Sequence, residues 1–309
     1  MIIWLNVDGE VQPFSEDELA EMGVELGTPA PIGGFVYSEV AFKRLPLDFG
    51  PMLIGCGVLP EQSKMVVYGS KKARKSFLAL QIAHHVALGK ALFALPVSKV
   101  RVLYLQFEMS LATLQDRIVE PVEGCYIGTT MKFKLDHVAG QMLLDEVLTQ
   151  VRPKLLILDP FYKLLGGDVN DASQVQVVLD YIDECVIGVH KCSVVIMHHE
   201  NKEGGLRGSG RLFEWPDTIA RLIKHTSGNT LKFEDMRNAE EVEDIRLSFD
   251  EGSKAFVSAE VPISVQMTNL LDEGVAPEEL KEIFPEVKAS TRRSIVKRWR
   301  DQQQGCNGG

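Results

Sequence analysis

A strand that runs into a glycine, crosses a short polar turn and restarts as a helix at Lys-Ser constrains this chain more than any other stretch. The stretch is "MVVYGSKKARKSFLALQIAHHVALG", Met65 to Gly89. Such a segment makes a phosphate cradle when backbone N–H groups converge on an anion at the helix N-terminus, with a lysine for the β- and γ-phosphates and a hydroxyl for Mg2+. Gly69, Lys75 and Ser76 supply those parts in the register of GxxxxGK[ST], and Arg74 stands where that pattern has its second glycine. The glycine lets the backbone approach phosphate with no Cβ in the way, so Arg74 must either take a conformation that suits the loop or push the loop outward. Alone, the segment reads equally as a lysine-rich turn capping an amphipathic helix.

Its surroundings decide which fold receives the loop. From Met65 the chain alternates "MVVYG", a helix after Lys75, "VRVLYLQFE", a helix in "SLATLQDRIVE", the strand-like "MKFKLD", a helix through "QMLLDEVLTQV", "KLLILDP", a helix through "SQVQVVLDYIDECVIGVH", and "SVVIMHH". The apolar runs are β-branched and leucine-rich without strict alternation, as in parallel strands covered on both faces. This predicts an α/β core with a mainly parallel central sheet and crossover helices. The later segments "TIARLIKH", "NTLKFEDMR", "DIRLSFDEGS" and "KAFVSAE" are expected as antiparallel strands extending that sheet. Residues 1–52 read as an N-terminal arm whose clear helix is "SEDELAEMG", 53–258 as the core, 262–301 as a small helical unit, and 302–309 as a disordered tail.

At 309 residues and 45% hydrophobic content, the chain has enough apolar material for one large core and a small appendage. A net charge of −10 excludes a protein coated in nucleic acid and leaves such binding to local basic patches. No apolar run is long enough to span a bilayer, and "MIIWLNVDGEV" lacks the basic start of a secretory signal, so the expected setting is cytoplasmic, away from membranes. The five scattered cysteines fit reduced thiols better than a disulfide or zinc framework.

Nucleotide hydrolysis also needs a carboxylate near Mg2+ and a group that orients water. "KLLILDPF" ends a buried strand with Asp159, in the arrangement that holds Mg2+ beside Ser76 at the C-terminal edge of a sheet. "VLYLQFEMS" delivers Glu108 as a base for the attacking water, and "SVVIMHHE" delivers His198 as a sensor of the γ-phosphate. Each has a plainer reading as a helix cap or a core histidine. Their shared position at strand ends, in order after the loop, favours the functional one.

In this order, "GSKKARKS", "YLQFEMS", "LLILDPFYKLLGGDVNDASQV", "VVIMHHENK", "GLRGSGRLFEWPDTIARL" and "MRNAEEVEDIRLSFD" resemble the RecA-like hexameric ATPases of the RepA and DnaB replicative-helicase group, and the RepA-like branch most. The resemblance covers about Leu53 to Phe256. It implies ATP and Mg2+ as ligands, Lys72 in the loop beside Lys75 and Ser76, Glu108 as catalytic base, Asp159 on Mg2+, and His198 as coupling residue. It also implies that Arg237 in "MRNAEE" reaches a neighbouring subunit's γ-phosphate, in a ring that works on single-stranded DNA in plasmid or virus replication. The DnaB-type pattern has a lysine two residues before that arginine, where this chain has Asp235. A plainer reading pairs Arg237 with Glu234 or Glu240.

DNA contact needs cations on loops that follow the backbone. "NKEGGLRGSGR" offers Lys202, Arg207 and Arg211, and in the resembled family the corresponding loop faces the central channel. The C-terminal segment reads as a helix to Asp272, a turn at Gly274, a helix begun by Pro277-Glu278-Glu279, a break at Pro285 and a helix capped by Ser290 or Thr291. That is helix-turn-helix spacing, and the last helix carries Arg292, Arg293 and Lys297 for duplex DNA, or else packs as a solvated helix on its neighbours.

Overall fold

The computed structural model describes residues 2–7, 10–15, 36–45, 50–129, 133–201, 203–208, 210–238, 242–258, 263–272, 274–285 and 287–306. Lys202, and the helix expected from Glu16 onward, lie outside them. The chain divides into two units, Met1–Asp48 and Phe49–Gly309.

The first unit contains an antiparallel hairpin of β1 (Ile2–Val7) and β2 (Glu10–Ser15), with Val7 opposite Glu10. It also has a short helix α1 (Glu39–Lys43), which starts where the Ser38 hydroxyl accepts the Ala41 N–H. The sequence reading anticipated neither element. Its signal is the Asp-Gly pair between two short apolar runs in "IIWLNVDGEVQPF", a common hairpin punctuation.

The second unit opens on a small hairpin of β3 (Met52–Ile54) and β4 (Leu59–Pro60). The core then runs β5 (Lys64–Gly69), α2 (Lys75–Leu88), β6 (Val102–Gln106), α3 (Leu111–Arg117), β7 (Cys125–Thr129), α4 (Val138–Val151) and β8 (Leu155–Asp159). It continues with a 3-10 turn at Phe161–Leu164, α5 (Ala172–Tyr181) running into a π-helical stretch Ile182–Val189, β9 (Ser193–His199) and the short α6 (Gly210–Glu214). The strands β10 (Thr218–His225), β11 (Gly228–Met236), β12 (Ile245–Asp250) and β13 (Ala255–Ser258) complete it.

One nine-stranded sheet in the order β13-β12-β11-β10-β5-β9-β8-β6-β7 joins all of these strands. From β10 through β7 the pairs are parallel, and from β10 out to β13 they are antiparallel. This is the expected α/β architecture, with helices on both faces of the parallel part. The alternation of side chains explains it. Met65, Val67, Tyr104, Ile157, Val195 and Met197 pack with Leu78, Ile82 and Val86 of α2, whereas Val66, Leu103, Leu105, Leu156, Leu158 and Ile196 pack with Leu144, Leu148 and Val178 of α4 and α5. The inner strands β5, β6, β8 and β9 are therefore apolar through their middles, and polar side chains stand at their ends.

Two strand expectations are corrected. In the strand-like "MKFKLD", Met131 and Lys132 lie outside the described residues and Phe133 to Asp136 form no strand; the edge strand β7 lies earlier, after Gly124 at φ +82°. Phe133 and Leu135 are buried on the α4 side, which gave that segment its strand-like alternation. "TIARLIKH" is antiparallel to β11, but it pairs in parallel with β5, Thr218 opposite Met65 and Leu222 opposite Gly69, so it belongs to the parallel half of the sheet.

At the C-terminus, α7 (Ile263–Asp272), α8 (Leu280–Ile283) and α9 (Ala289–Cys306) enclose Met267, Leu271, Leu280, Phe284 and Ile295. Gly274, at φ +95°, makes the turn after α7. The last helix begins at Ala289, so Ser290 and Thr291 lie inside it, and it continues to Cys306 where a tail was expected from residue 302. Among the described residues no helix is long and apolar enough to cross a membrane.

The two-faced burial predicts where truncation hurts. Leu158→Ala in fully buried β8 should lower unfolding free energy by about 2–5 kcal/mol in a denaturant titration. Val257→Ala, half exposed on the edge strand β13, should change it by less than about 0.5 kcal/mol.

Candidate functional site

Sheet register assembles the site. Gly69 at the end of β5 lies opposite His199 on β9, and Gln106 at the end of β6 lies opposite Asp159 on β8. The loop from Ser70 to Arg74 leaves β5 at this edge and enters α2 at Lys75. Gly69 is required by space: a Cβ there would sit 2.3 Å from the Leu222 carbonyl oxygen on β10. That contact is with backbone, which has no side-chain end to swing away.

Arg74 answers the question its position raises. It is the N-cap residue of α2 with φ 68° and ψ 31°, the left-handed conformation that a glycine takes at low cost. Its side chain turns away from the loop. The guanidinium carbon lies 3.8 Å from the Phe249 ring centroid on β12, and Nη2 pairs with Glu251 Oε1 at 2.5 Å. The loop backbone therefore has the shape a glycine would give it, and the arginine is anchored on the β12–β13 hairpin. Behind the loop, Asn229 Nδ2 donates to the Ala73 carbonyl at 3.3 Å. Lys71 and Lys72 are exposed on the loop's outer side.

Lys75 is 6% exposed and folds back on the loop. Its Nζ donates to the carbonyls of Gly69 at 2.7 Å and Ser70 at 2.8 Å, and to His199 Nδ1 at 3.2 Å. Burial depresses its pKa to about 8, against the opposing pull of Asp159, Glu200 and Glu108. Asp159 is 3% exposed, and it accepts hydrogen bonds from the Tyr104 hydroxyl at 2.8 Å and from Ser76. Burial raises its carboxyl pKa, and the Ser76 and Tyr104 hydrogen bonds hold it down. The Ser76 hydroxyl and the Asp159 carboxylate, already in contact beside a lysine-bearing loop, are a hard oxygen donor pair suited to Mg2+ with a phosphate. Glu108 lies just beyond β6, with its backbone N–H on Gln106 Oε1 at 3.0 Å and its carboxylate on the Tyr162 hydroxyl.

The two histidines at the end of β9 have different surroundings. His198, expected to sense phosphate, is fully buried on the α4/α5 face, where Phe161 packs edge-on at 5.9 Å. Its Nε2 donates to the Arg207 carbonyl at 2.9 Å, and burial drives its pKa down to about 3. His199 faces the loop and meets Lys75. The period of two in β9 decides this: the face of Val195 and Met197 is the α2 face, and His199 continues it. Read along the strand, the same parity was available from the sequence. Tyr104, Tyr162 and Glu200 were also missed. Glu200 takes the Arg221 guanidinium at 3.3 Å, and its N–H donates to the Gly69 carbonyl at 3.2 Å.

Arg237 follows β11 at the other edge of the sheet. Its N–H donates to the Asp217 carbonyl, and the Asp217 N–H donates to that of Lys64, so Arg237 stands at the start of β5, about 16 Å of strand from Gly69 at ~3.3 Å per residue. It pairs with Asp217 at 3.7 Å and donates to the Glu214 carbonyl; of the two glutamate partners expected, Glu240 lies outside the described residues. It therefore cannot serve the phosphate loop of its own chain. Arg207 and Arg211 are exposed at and after a tight turn in which Asn201 Oδ1 accepts from Glu203 and Gly205. On α9, Arg293 and Lys297 are exposed. Arg292 is not free for DNA, because its Nη1 donates to the carbonyls of Phe284 at 2.8 Å and Val287 at 2.5 Å and closes the end of α8.

A family model described as AAA domain matches residues 51–205. Among solved structures, a KaiC-like protein from the hyperthermophilic archaeon Pyrococcus horikoshii OT3 is similar in fold, with a TM-score of 0.53 at 12% identity over 69% of this chain and 98% of that one. No curated protein matches the chain.

Two stability measurements probe the loop. Arg74→Gly should stay within about 1 kcal/mol of the parent, since relief of the left-handed backbone offsets loss of the Phe249 stack and the exposed ion pair. Arg74→Ala keeps the strain without the contacts and should be about 1 kcal/mol less stable than Arg74→Gly. For Lys75, the folded pKa near 8 lies below the ordinary 10.5, so between those values the unfolded chain binds the extra proton and stability rises with pH. Compared with Lys75→Met, the parent should gain on the order of 2 kcal/mol between pH 8 and 10 in parallel denaturant titrations.

Proposed function

The chain belongs to the AAA-domain family and is a nucleotide-binding P-loop protein of the RecA-like ATPase type, and from that premise we propose that it hydrolyses ATP in a ring of like subunits acting on single-stranded DNA, as a replicative-helicase-like protein of a plasmid or virus. The observation that carries the ATPase reading is the convergence of Lys75, Ser76, Asp159 and Glu108 at one edge of the sheet around a loop that Arg74 leaves open.

In this reading the loop amides and the α2 N-terminus receive the phosphates, and Lys75 exchanges its loop carbonyls for phosphate oxygens, stronger partners for an ammonium. Ser76 and Asp159 would hold Mg2+, which when bound neutralises charge on the transferred phosphate. Glu108 orients the attacking water and takes its proton. Arg237, remote from its own loop, is suited to approach a neighbour's nucleotide after leaving Asp217. Arg207, Arg211 and Lys202 supply phosphate contacts for single-stranded DNA, and Arg293 and Lys297 supply them for duplex DNA.

The test is ATP turnover with and without single-stranded DNA. The wild type should turn over faster with DNA, and Lys75→Ala and Glu108→Gln should each lose about 100-fold or more in kcat. A wild type that binds nucleotide but is inert with DNA would instead identify a nucleotide-binding scaffold or loader.

A further inference from the structure

Glu108 has its carboxylate exposed, and its backbone is fixed from below. Gln106, fully buried, accepts the N–H groups of Glu108 at 3.0 Å and Met109 at 2.7 Å through one amide oxygen. Nothing in that arrangement directs the side chain. An exposed glutamate held only at its backbone samples several rotamers, and a base must sit within hydrogen-bond reach of one water position. Among the described residues the group that bonds the carboxylate is the Tyr162 hydroxyl, which donates to Oε1 and leaves Oε2 free.

Tyr162 is well placed to hold an aim. It sits in the 3-10 turn that begins right after Asp159 and Pro160, is half-buried, and packs its ring 5.7 Å from the ring of His199. The Lys163 ammonium lies 5.3 Å from the ring centroid. Burial and the bond to Glu108 push the hydroxyl up to about 12, so it remains a donor through neutral pH.

We propose that Tyr162 is a positioning residue for hydrolysis: its hydroxyl aims the Glu108 carboxylate, and its turn ties that aim to the strand end that carries Asp159. This rests on the reading of Glu108 as the group that orients the attacking water. Tyr162→Phe keeps the ring and its packing and removes only the donor.

The experiment is a double-mutant cycle in steady-state ATP hydrolysis by the full chain, with Tyr162→Phe, Glu108→Gln and the pair. Tyr162→Phe should lower kcat about tenfold with KM for ATP within about twofold, because the loss is of orientation and not of binding. In the Glu108→Gln background the same change should do nothing further, since the group being aimed is gone. Wild-type turnover in Tyr162→Phe overturns the proposal and leaves the role of Glu108 standing. An equal loss in both backgrounds also overturns it, because Tyr162 would then act independently of Glu108. Wild-type turnover in Glu108→Gln removes the reading beneath the proposal, and the proposal with it.

Discussion

The ammonium of Lys75 lies almost wholly out of water, and the arrangement around it follows from that burial. A charge removed from water costs several kcal/mol unless other dipoles and charges replace the hydration. Here the replacements come from three places: two carbonyls where β5 becomes the phosphate loop, the His199 imidazole at the end of β9, and the negative charge of Asp159 at the end of β8. They converge because the parallel strands are in register and end together. A lysine solvated by carbonyls and a neutral imidazole is a lysine ready for better partners, and phosphate oxygens are better partners.

Arg74 shows that a sequence pattern can fail where the physical requirement behind it is met. The glycine of the loop pattern serves two purposes, a left-handed backbone and an open approach for phosphate. Arg74 meets the first at a strain of about 1–2 kcal/mol. It meets the second because its side chain leaves the loop for Phe249 and Glu251. Those partners sit on the antiparallel extension of the sheet, so the added strands do more than widen the fold: they hold the residue that lets the loop stay open.

Much of this was legible in the residues. Continuous apolar strands ending in Gly69, Glu108 and Asp159 gave the α/β core and the edge where polar groups gather, because burial on both faces leaves them nowhere else. What was missed shares one cause. Whether His198 or His199 faces the loop and Lys75 is a matter of strand parity, and an all-apolar strand hides its parity from composition. Parity counted from Met197 would have found it. The edge strand β7 was missed because Phe133 and Leu135 alternate like a strand while packing as a loop, and because "CYIGT", with a glycine and an exposed tyrosine, lacks the apolar run of the inner strands. Arg292 looked like a free cation, since a side chain that closes a helix end on carbonyls has the same letter as one that waits for DNA.

The central claim is that the phosphate loop binds nucleotide with Arg74 in place. It is tested most directly by measuring the dissociation constant of a non-hydrolysable ATP analogue, with Mg2+, for the wild type and Arg74→Gly. If the arginine stands clear of the cradle, the two constants should agree within about threefold, less than ~1 kcal/mol. An Arg74→Gly protein that binds more than about tenfold tighter would show that the side chain obstructs the phosphates, and would contradict the account.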